Sequence, residues 1–225
     1  MSQPRLSEIE RGAGSFTAEQ FLTILKIFNA SVSDFDFSQG TPAPHSELQN
    51  ALARLGASHL YESENVLPKE GFDDVGTVVI ETLVTSAPRL LTALGPVLVQ
   101  NIDVLRLEGL HARLQHNALE QRLAWLVENV GDAVRVELTR ETAPKWRRTY
   151  KRAELVFDQY LRFAVAHASP RPAGGEDILD REVRSERTLD TTRASSSTVS
   201  KRWGIISSIQ PEDFSEAMRA ARGRD

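Results

Sequence analysis

The segment 145–152, with the sequence KWRRTYKR, is the densest group of side chains in the chain that could carry out binding chemistry. Its five cations are Lys145, Arg147, Arg148, Lys151 and Arg152. Because lysine and arginine neutralise phosphates, and because the interleaved Trp146 and Tyr150 can stack on bases, such a segment is able to bind nucleic acid. The alternative, which we favour, is a solvated helix face whose two aromatic side chains turn into the core.

Other residue types that support catalysis or metal binding are sparse. The chain has five histidines and no cysteine, which excludes disulfides, thiol nucleophiles and zinc sites with cysteine ligands. His111 and His116 are five positions apart, so they share a helix face poorly as metal ligands. The sequence contains no phosphate-binding glycine loop, nucleophile elbow or dinucleotide fingerprint. We therefore expect no metal site, no cofactor and no enzymatic activity.

The segments that would position these residues are predicted to be helices. From Pro144 to His167 the large apolar residues recur on one stripe, which predicts a long amphipathic helix carrying the cationic segment. Gly131 should end the helix that precedes it. A helix is also favoured at 77–85, although its β-branched residues leave a strand open. Leucines at helical spacing predict further helices in the segments 46–62, 88–98, 102–115 and 117–130.

The first residues, SQPRLSEIERG at 2–12, predict one short helix. Ser2 is a suitable N-cap, Pro4 suits the first turn, and Gly12 can end the helix in the left-handed conformation. A second helix begins after Thr17, which has a glutamine three residues later as in a capping box. Its apolar residues at helical spacing are Phe21, Ile24, Leu25 and Phe28.

Together these helices resemble helices three to five of the Xre-type helix-turn-helix fold of phage repressors and bacterial regulators. The run SQPRLSEIERG is similar to the recognition helix of that family, and TAEQFLTILKIFNASVSDF is similar to its fourth helix and the turn into its fifth. Asn29 stands where the family usually has glycine. The resemblance implies two further helices before residue 1. We therefore expect a start codon placed too late, or, as the alternative, a truncated and degenerate motif.

The resemblance also assigns DNA contacts by position, because the N-terminal part of a recognition helix meets base edges in the major groove. Gln3 would pair bidentately with adenine, and Arg5 would contact a guanine or a phosphate. Ser7 and Arg11 are placed for phosphate or groove contacts. The alternative is that Gln3, Arg5 and Ser7 are solvated side chains of a fragment that no longer binds DNA.

A second resemblance covers residues 103–131. The run RLAWLVE, at 122–128, is similar to a run in the C-terminal domain of AbiEi-type antitoxins. Those antitoxins regulate their own operon and counter a nucleotidyltransferase toxin, so the resemblance implies a regulator that pairs with such a toxin. That family usually carries a winged N-terminal domain, from which the Xre-type start departs.

The predicted fold class is all-α, with a partial helix-turn-helix domain at 1–37 and a linker at 38–46. A helical effector or dimerisation domain follows at 47–168.

The residues after this domain change in composition. Residues 169–200 contain few large apolar groups, which predicts a disordered linker. Residues 201–225 are apolar again and predict a tail that folds on contact with a partner, through Trp203, Ile206 and Phe214.

The net charge of −4 is unusual for a nucleic-acid binder, but residues 106–152 contain ten Lys or Arg against six Asp or Glu. We expect a DNA-binding repressor that is a homodimer, because this class reads two half-sites, and that acts as the antitoxin of a toxin–antitoxin operon. The alternative is a protein-interaction module with a vestigial motif. No apolar run approaches the roughly 20 residues that span a bilayer, and no signal peptide is visible, so we expect a cytoplasmic protein with no membrane partner.

Overall fold

The computed structural model describes residues 45–60, 74–168, 175–180 and 185–222, and the single positions 17, 19, 23, 26, 27, 72 and 183. The chain divides into two compact units, Met1–Ala43 and Pro44–Asp225.

The described positions of the first unit agree with the second predicted helix. Glu19, Thr23, Lys26 and Ile27 are helical, and the Thr23 hydroxyl donates to the carbonyl of Glu19 at 2.7 Å. The predicted recognition helix, with Gln3, Arg5, Ser7 and Arg11, lies outside the described residues.

The described residues of the second unit are almost entirely helical, which confirms the all-α prediction. The helices are α1 (Ser46–Arg54), α2 (Val75–Thr85), α3 (Pro88–Gln100), α4 (Leu107–Gln115), α5 (Glu120–Arg140), α6 (Pro144–Ala166), α7 (Glu186–Ser195), α8 (Thr198–Trp203) and α9 (Pro211–Arg222). Two short strands, β1 (Asp177–Ile178) and β2 (Ile205–Ile206), pair in parallel, with Asp177 opposite Ile205 and Ile178 opposite Ile206.

The core forms around α3 and α5. Nearly every residue of α3 from Leu90 to Val99 is buried, because this helix is apolar on all sides and is covered by α1, α2, α6 and α9. A Cβ added at Gly95 would lie 3.5 Å from the Phe214 ring, so α9 approaches α3 closely at this point. Helix α5 packs in turn against α4, α6, α8 and α9.

Segment 77–85 is helical, as favoured. Helix α2 begins after Asp74, whose carboxylate accepts from the Thr77 backbone N–H at 2.8 Å and from its hydroxyl at 2.7 Å. The cap stabilises the first turn, and Val78, Val79 and Leu83 are buried on the helix. These two contributions outweigh the preference of the valines for a strand.

The prediction that Gly131 ends a helix is wrong, because α5 continues to Arg140. Gly131 is buried where α5 meets α6, and a Cβ added there would lie 4.0 Å from Phe157. The helix contact leaves room for a Cβ at this position, so the glycine is not required by the packing and is no signal for a helix end.

The prediction of a disordered linker at 169–200 is wrong for its described part. Between Gly175 and Ser200 the chain forms β1, α7 and the start of α8. The side chain of Ser185 caps α7 by accepting from the Thr188 N–H at 3.2 Å, and Ser197 caps α8 by accepting from the Ser200 N–H at 3.0 Å. Serine caps thus stabilise two short helices in a segment whose low apolar content had predicted disorder.

The predicted partner-binding tail is also corrected. Trp203, Ile206 and Phe214 are 6%, 2% and 0% exposed, and α9 packs against α3 and α5 within the same chain. These three side chains complete the core of the second unit, so they offer no surface to a partner in this fold.

Candidate nucleic-acid interface

Helix α6 carries the predicted cationic segment near its N-terminus. Pro144 occupies the first turn, where its missing N–H costs nothing. The buried side of the helix is formed by Tyr150, Ala153, Phe157, Tyr160 and Ala164. All five predicted cations, Lys145, Arg147, Arg148, Lys151 and Arg152, are exposed on the opposite side. The helix period thus separates the cations from the apolar stripe, and they form one outward surface, which we call the cationic face.

The two aromatic residues of this segment face the core. Tyr150 is buried, and burial together with nearby Glu137 raises the pKa of its hydroxyl to about 12. Trp146 is half-buried, and its ring centroid lies 5.9 Å from that of Tyr150. The favoured interpretation of the aromatic residues as core residues is therefore confirmed for Tyr150. Tyr150 cannot stack on a base, so binding at this face would depend on charge.

The cations differ in their partners. Arg152 Nε lies 3.3 Å from Asp103 Oδ1, and Arg147 donates to the backbone carbonyl of Glu141 at 3.2 Å. Within the part of the chain that the structure describes, Lys145, Arg148 and Lys151 form no ion pair. The first and the last of these three charges are six positions apart, or about 9 Å along the helix axis.

The nearest carboxylates along α6 are already paired. Glu154 lies 3.5 Å and Asp158 lies 2.5 Å from the guanidinium of Arg135 on α5. Neither carboxylate forms an ion pair with a cation of the cationic face among the described residues. The cationic face can neutralise phosphates along a nucleic-acid backbone, contacts that position a protein on the nucleic acid without reading its sequence.

The run quoted for the antitoxin resemblance holds the C-terminal segment in place. The Arg122 guanidinium contacts the Asp177 carboxylate at 2.5 and 2.7 Å. The Trp125 indole N–H donates to Ser200 at 2.9 Å. Glu128 accepts from the Trp203 indole N–H at 2.5 Å and pairs with Arg202. In this chain those side chains have a structural role that sequence reasoning missed, since their partners lie far along the chain.

The two histidines considered as metal ligands are separated by the structure. His111 is buried, and its Nδ1 lies 3.0 Å from the Tyr160 hydroxyl, whereas His116 is exposed beside the carbonyl of Ala112. Across the described residues, no three His, Asp or Glu side chains are grouped so as to hold a metal ion. Of the described helices, none combines the length and apolarity needed to cross a bilayer.

Comparisons of the chain with protein-family models, curated proteins and solved structures found no match. A function must therefore be argued from the residues themselves. Among the described residues, the cationic face is the predicted binding feature that is exposed, since Trp203, Ile206 and Phe214 are buried.

Proposed function

We propose that the protein is a DNA-binding transcriptional repressor. In this proposal Gln3, Arg5, Ser7 and Arg11 contact the operator, and the cationic face adds phosphate contacts. The observation that carries the proposal is the exposure of Lys145, Arg148 and Lys151 without an acidic partner among the described residues. The similarity of residues 2–35 to the Xre-type fold supports it.

The proposal extends to assembly and location. Repressors of this class read two half-sites about one helical turn apart, so the active form would be a homodimer in the cytoplasm. The similarity of residues 103–131 to AbiEi-type antitoxins adds a toxin partner of the nucleotidyltransferase type. A neighbouring gene whose product is toxic alone, and harmless when co-expressed with this chain, would support that part; a gene without such a neighbour would count against it.

Fluorescence anisotropy on the DNA upstream of the gene tests DNA binding. The labelled upstream DNA is titrated with the 225-residue chain and, separately, with a version extended by the upstream codons. Each titration is done at two salt concentrations and is repeated with a scrambled duplex. Phosphate contacts give a slope of about −0.9 per contact in a plot of log affinity against log salt. We expect the combined variant Lys145→Ala, Arg148→Ala, Lys151→Ala to reduce the slope by about 2 to 3.

Two further variants separate recognition of the operator sequence from electrostatic attraction to the phosphates. Gln3→Ala should reduce the preference for the operator over the scrambled duplex about fivefold or more, and should leave the salt slope unchanged. Arg162→Ala, which removes an exposed cation farther along α6, should change neither quantity. Absence of binding by both versions of the chain, or equal binding to both duplexes, would overturn the proposal.

A protein-interaction module is the second candidate. The outer side of α6 also exposes Leu155 and Val165, each more than half exposed, and the whole chain is acidic. If neither version of the chain binds DNA, and if Leu155→Ser reduces self-association measured by analytical ultracentrifugation, this candidate replaces the repressor.

A further inference from the structure

A cleft of about 360 Å³ opens between the beginning of α2 and the outer side of α4. Val75, Leu105 and Leu110 provide apolar surface in it, and Leu105 and Leu110 are themselves part of the buried core. Arg106 and Arg113 are exposed cations of the same lining. A concave apolar surface with a few polar groups is the usual form of a small-molecule site, and this volume is at the small end of the range.

The two arginines and a glycine share one face of α4. Arg106 occupies the N-cap position without a capping hydrogen bond from its side chain, Gly109 follows three residues later, and Arg113 follows after four more, a spacing that places all three on one side of the helix. A Cβ added at Gly109 would meet only Arg106 Cβ, at 3.7 Å. The helix surface between the arginines is therefore bare and open to a ligand.

The charge of the cleft is unbalanced. Asp74 is the one carboxylate among its described lining residues, and it lies 4.0 Å from Arg113 Nη1. The hydrogen bonds from Thr77 lower the pKa of Asp74, so that it is ionised while it caps α2. Within the described residues Arg106 has no ion pair. One positive charge thus remains beside an apolar floor.

We propose that this cleft binds a small monocarboxylic acid with an apolar body. The carboxylate would accept paired N–H bonds from Arg106, assisted by Arg113, above the bare surface of Gly109. The apolar body would cover Val75 and Leu110. Asp74 favours a single negative charge, because a phosphate dianion placed between the arginines would also lie close to this carboxylate.

The neighbouring turn completes the site. Val104 lies at the cleft and is 67% exposed, so it adds accessible apolar surface beside two buried leucines. A bound apolar body would cover this side chain. The proposal concerns a ligand of the second unit alone, and it holds or fails independently of DNA binding.

Ligand-observed NMR on the full chain tests the site. The probes are 4-phenylbutyrate, hexanoate and indole-3-acetate, with the amide and the amine of phenylbutyrate as neutral and cationic controls. We expect the three carboxylates to bind with millimolar or tighter dissociation constants, and the amide and the amine to bind about tenfold more weakly or less. Arg106→Gln should weaken carboxylate binding about tenfold.

Gly109→Leu gives an independent readout, since it fills the open surface. It should abolish binding of all three carboxylates while the melting temperature stays equal or rises, because leucine favours a helix more than glycine does. Arg162→Gln, at an exposed arginine of α6 outside both the cleft and the cationic face, is the matched control and should leave binding unchanged. No binding by any carboxylate, equal binding of the amide, or unchanged binding in Arg106→Gln and Gly109→Leu would each overturn the site.

Discussion

The Nδ1 atom of His111 lies 3.0 Å from the phenolic oxygen of Tyr160, and both side chains are buried. This hydrogen bond joins α4 to α6. The imidazole also meets the ring of Phe163 edge-on, with centroids 5.3 Å apart. Burial lowers the pKa of His111, nearby His167 lowers it further, and the charge of Glu120 opposes the shift. The neutral imidazole is therefore the form that the fold accommodates.

The first prediction concerns pH. Because the folded chain holds the pKa of His111 below its ordinary value, the unfolded chain takes up a proton first as the pH falls. The contribution of His111 to the free energy of unfolding should be complete above about pH 6.5 and should be lost progressively below it. Urea unfolding between about pH 5 and 8 measures this, and His111→Gln should flatten the dependence. His116→Gln, at the exposed histidine, should not; equal curves for His111→Gln and the unaltered chain would contradict the assignment.

The second prediction concerns Phe214, which is fully buried on α9. Its ring centroid lies 6.0 Å from that of Trp125, and the two rings meet edge-on. Phe214→Ala should lower the free energy of unfolding by about 3–5 kcal/mol, because it removes a large core side chain and leaves a cavity. Denaturant unfolding followed by tryptophan fluorescence measures the loss. Glu216→Ala, at an exposed position of the same helix, should have little effect; a similarly small effect of Phe214→Ala would restore the partner-binding interpretation.

The third prediction concerns Glu128, which accepts from the buried Trp203 indole and pairs with the exposed Arg202. Glu128→Ala leaves the indole N–H without its acceptor and should cost about 1–3 kcal/mol of stability. Glu128→Gln keeps an acceptor oxygen and should cost less than about 1 kcal/mol, since an ion pair to an exposed arginine contributes little. Thermal unfolding of the two variants tests the order. Equal losses would mean that the charge of Glu128 matters more than its bond to the indole.

The fourth prediction compares two glycines. A Cβ at Gly131 would make only ordinary contact with Phe157, at 4.0 Å, so Gly131→Ala should raise the stability by up to about 1 kcal/mol through helix propensity. Gly56 has φ of +126°, and a Cβ there would lie 2.7 Å from the side-chain oxygen of Gln100. Gly56→Ala should therefore lose about 1 kcal/mol or more. Melting temperatures of both variants give the comparison, and a loss in Gly131→Ala would indicate strain between α5 and α6 instead.

The parts of the fold that were predictable from the sequence are those set by local spacing. The apolar stripe from Trp146 to Ala164 predicted α6 to within one residue of its observed end. This was possible because helical periodicity can be recognised within the segment itself. The described elements between Gly175 and Ser200 were missed because their contacts are distant. Trp125 and Ser200 are 75 positions apart, and Asp177 of β1 pairs with Ile205 of β2, 28 positions later. Composition alone cannot show such partners.

The same limit applies to the sites. The cationic face could be recognised because its five cations are adjacent in the sequence. The cleft could not, since Asp74 and Arg106 come from segments that meet only after α2 packs against α4. The glycine at 109 gave no signal by itself, and only the open space above it makes the position informative.

The close approach of α9 to Gly95 of α3 has a consequence for biosynthesis. The ribosome makes α3 well before α9, so the apolar surface around Gly95 remains uncovered until Phe214 and Met218 have emerged. The nascent chain must therefore carry its central helix in an incomplete state through the synthesis of α4 to α8. Exposed apolar surface of this kind promotes aggregation, so we expect nascent chains halted before Pro211 to depend on chaperones more than chains that include α9.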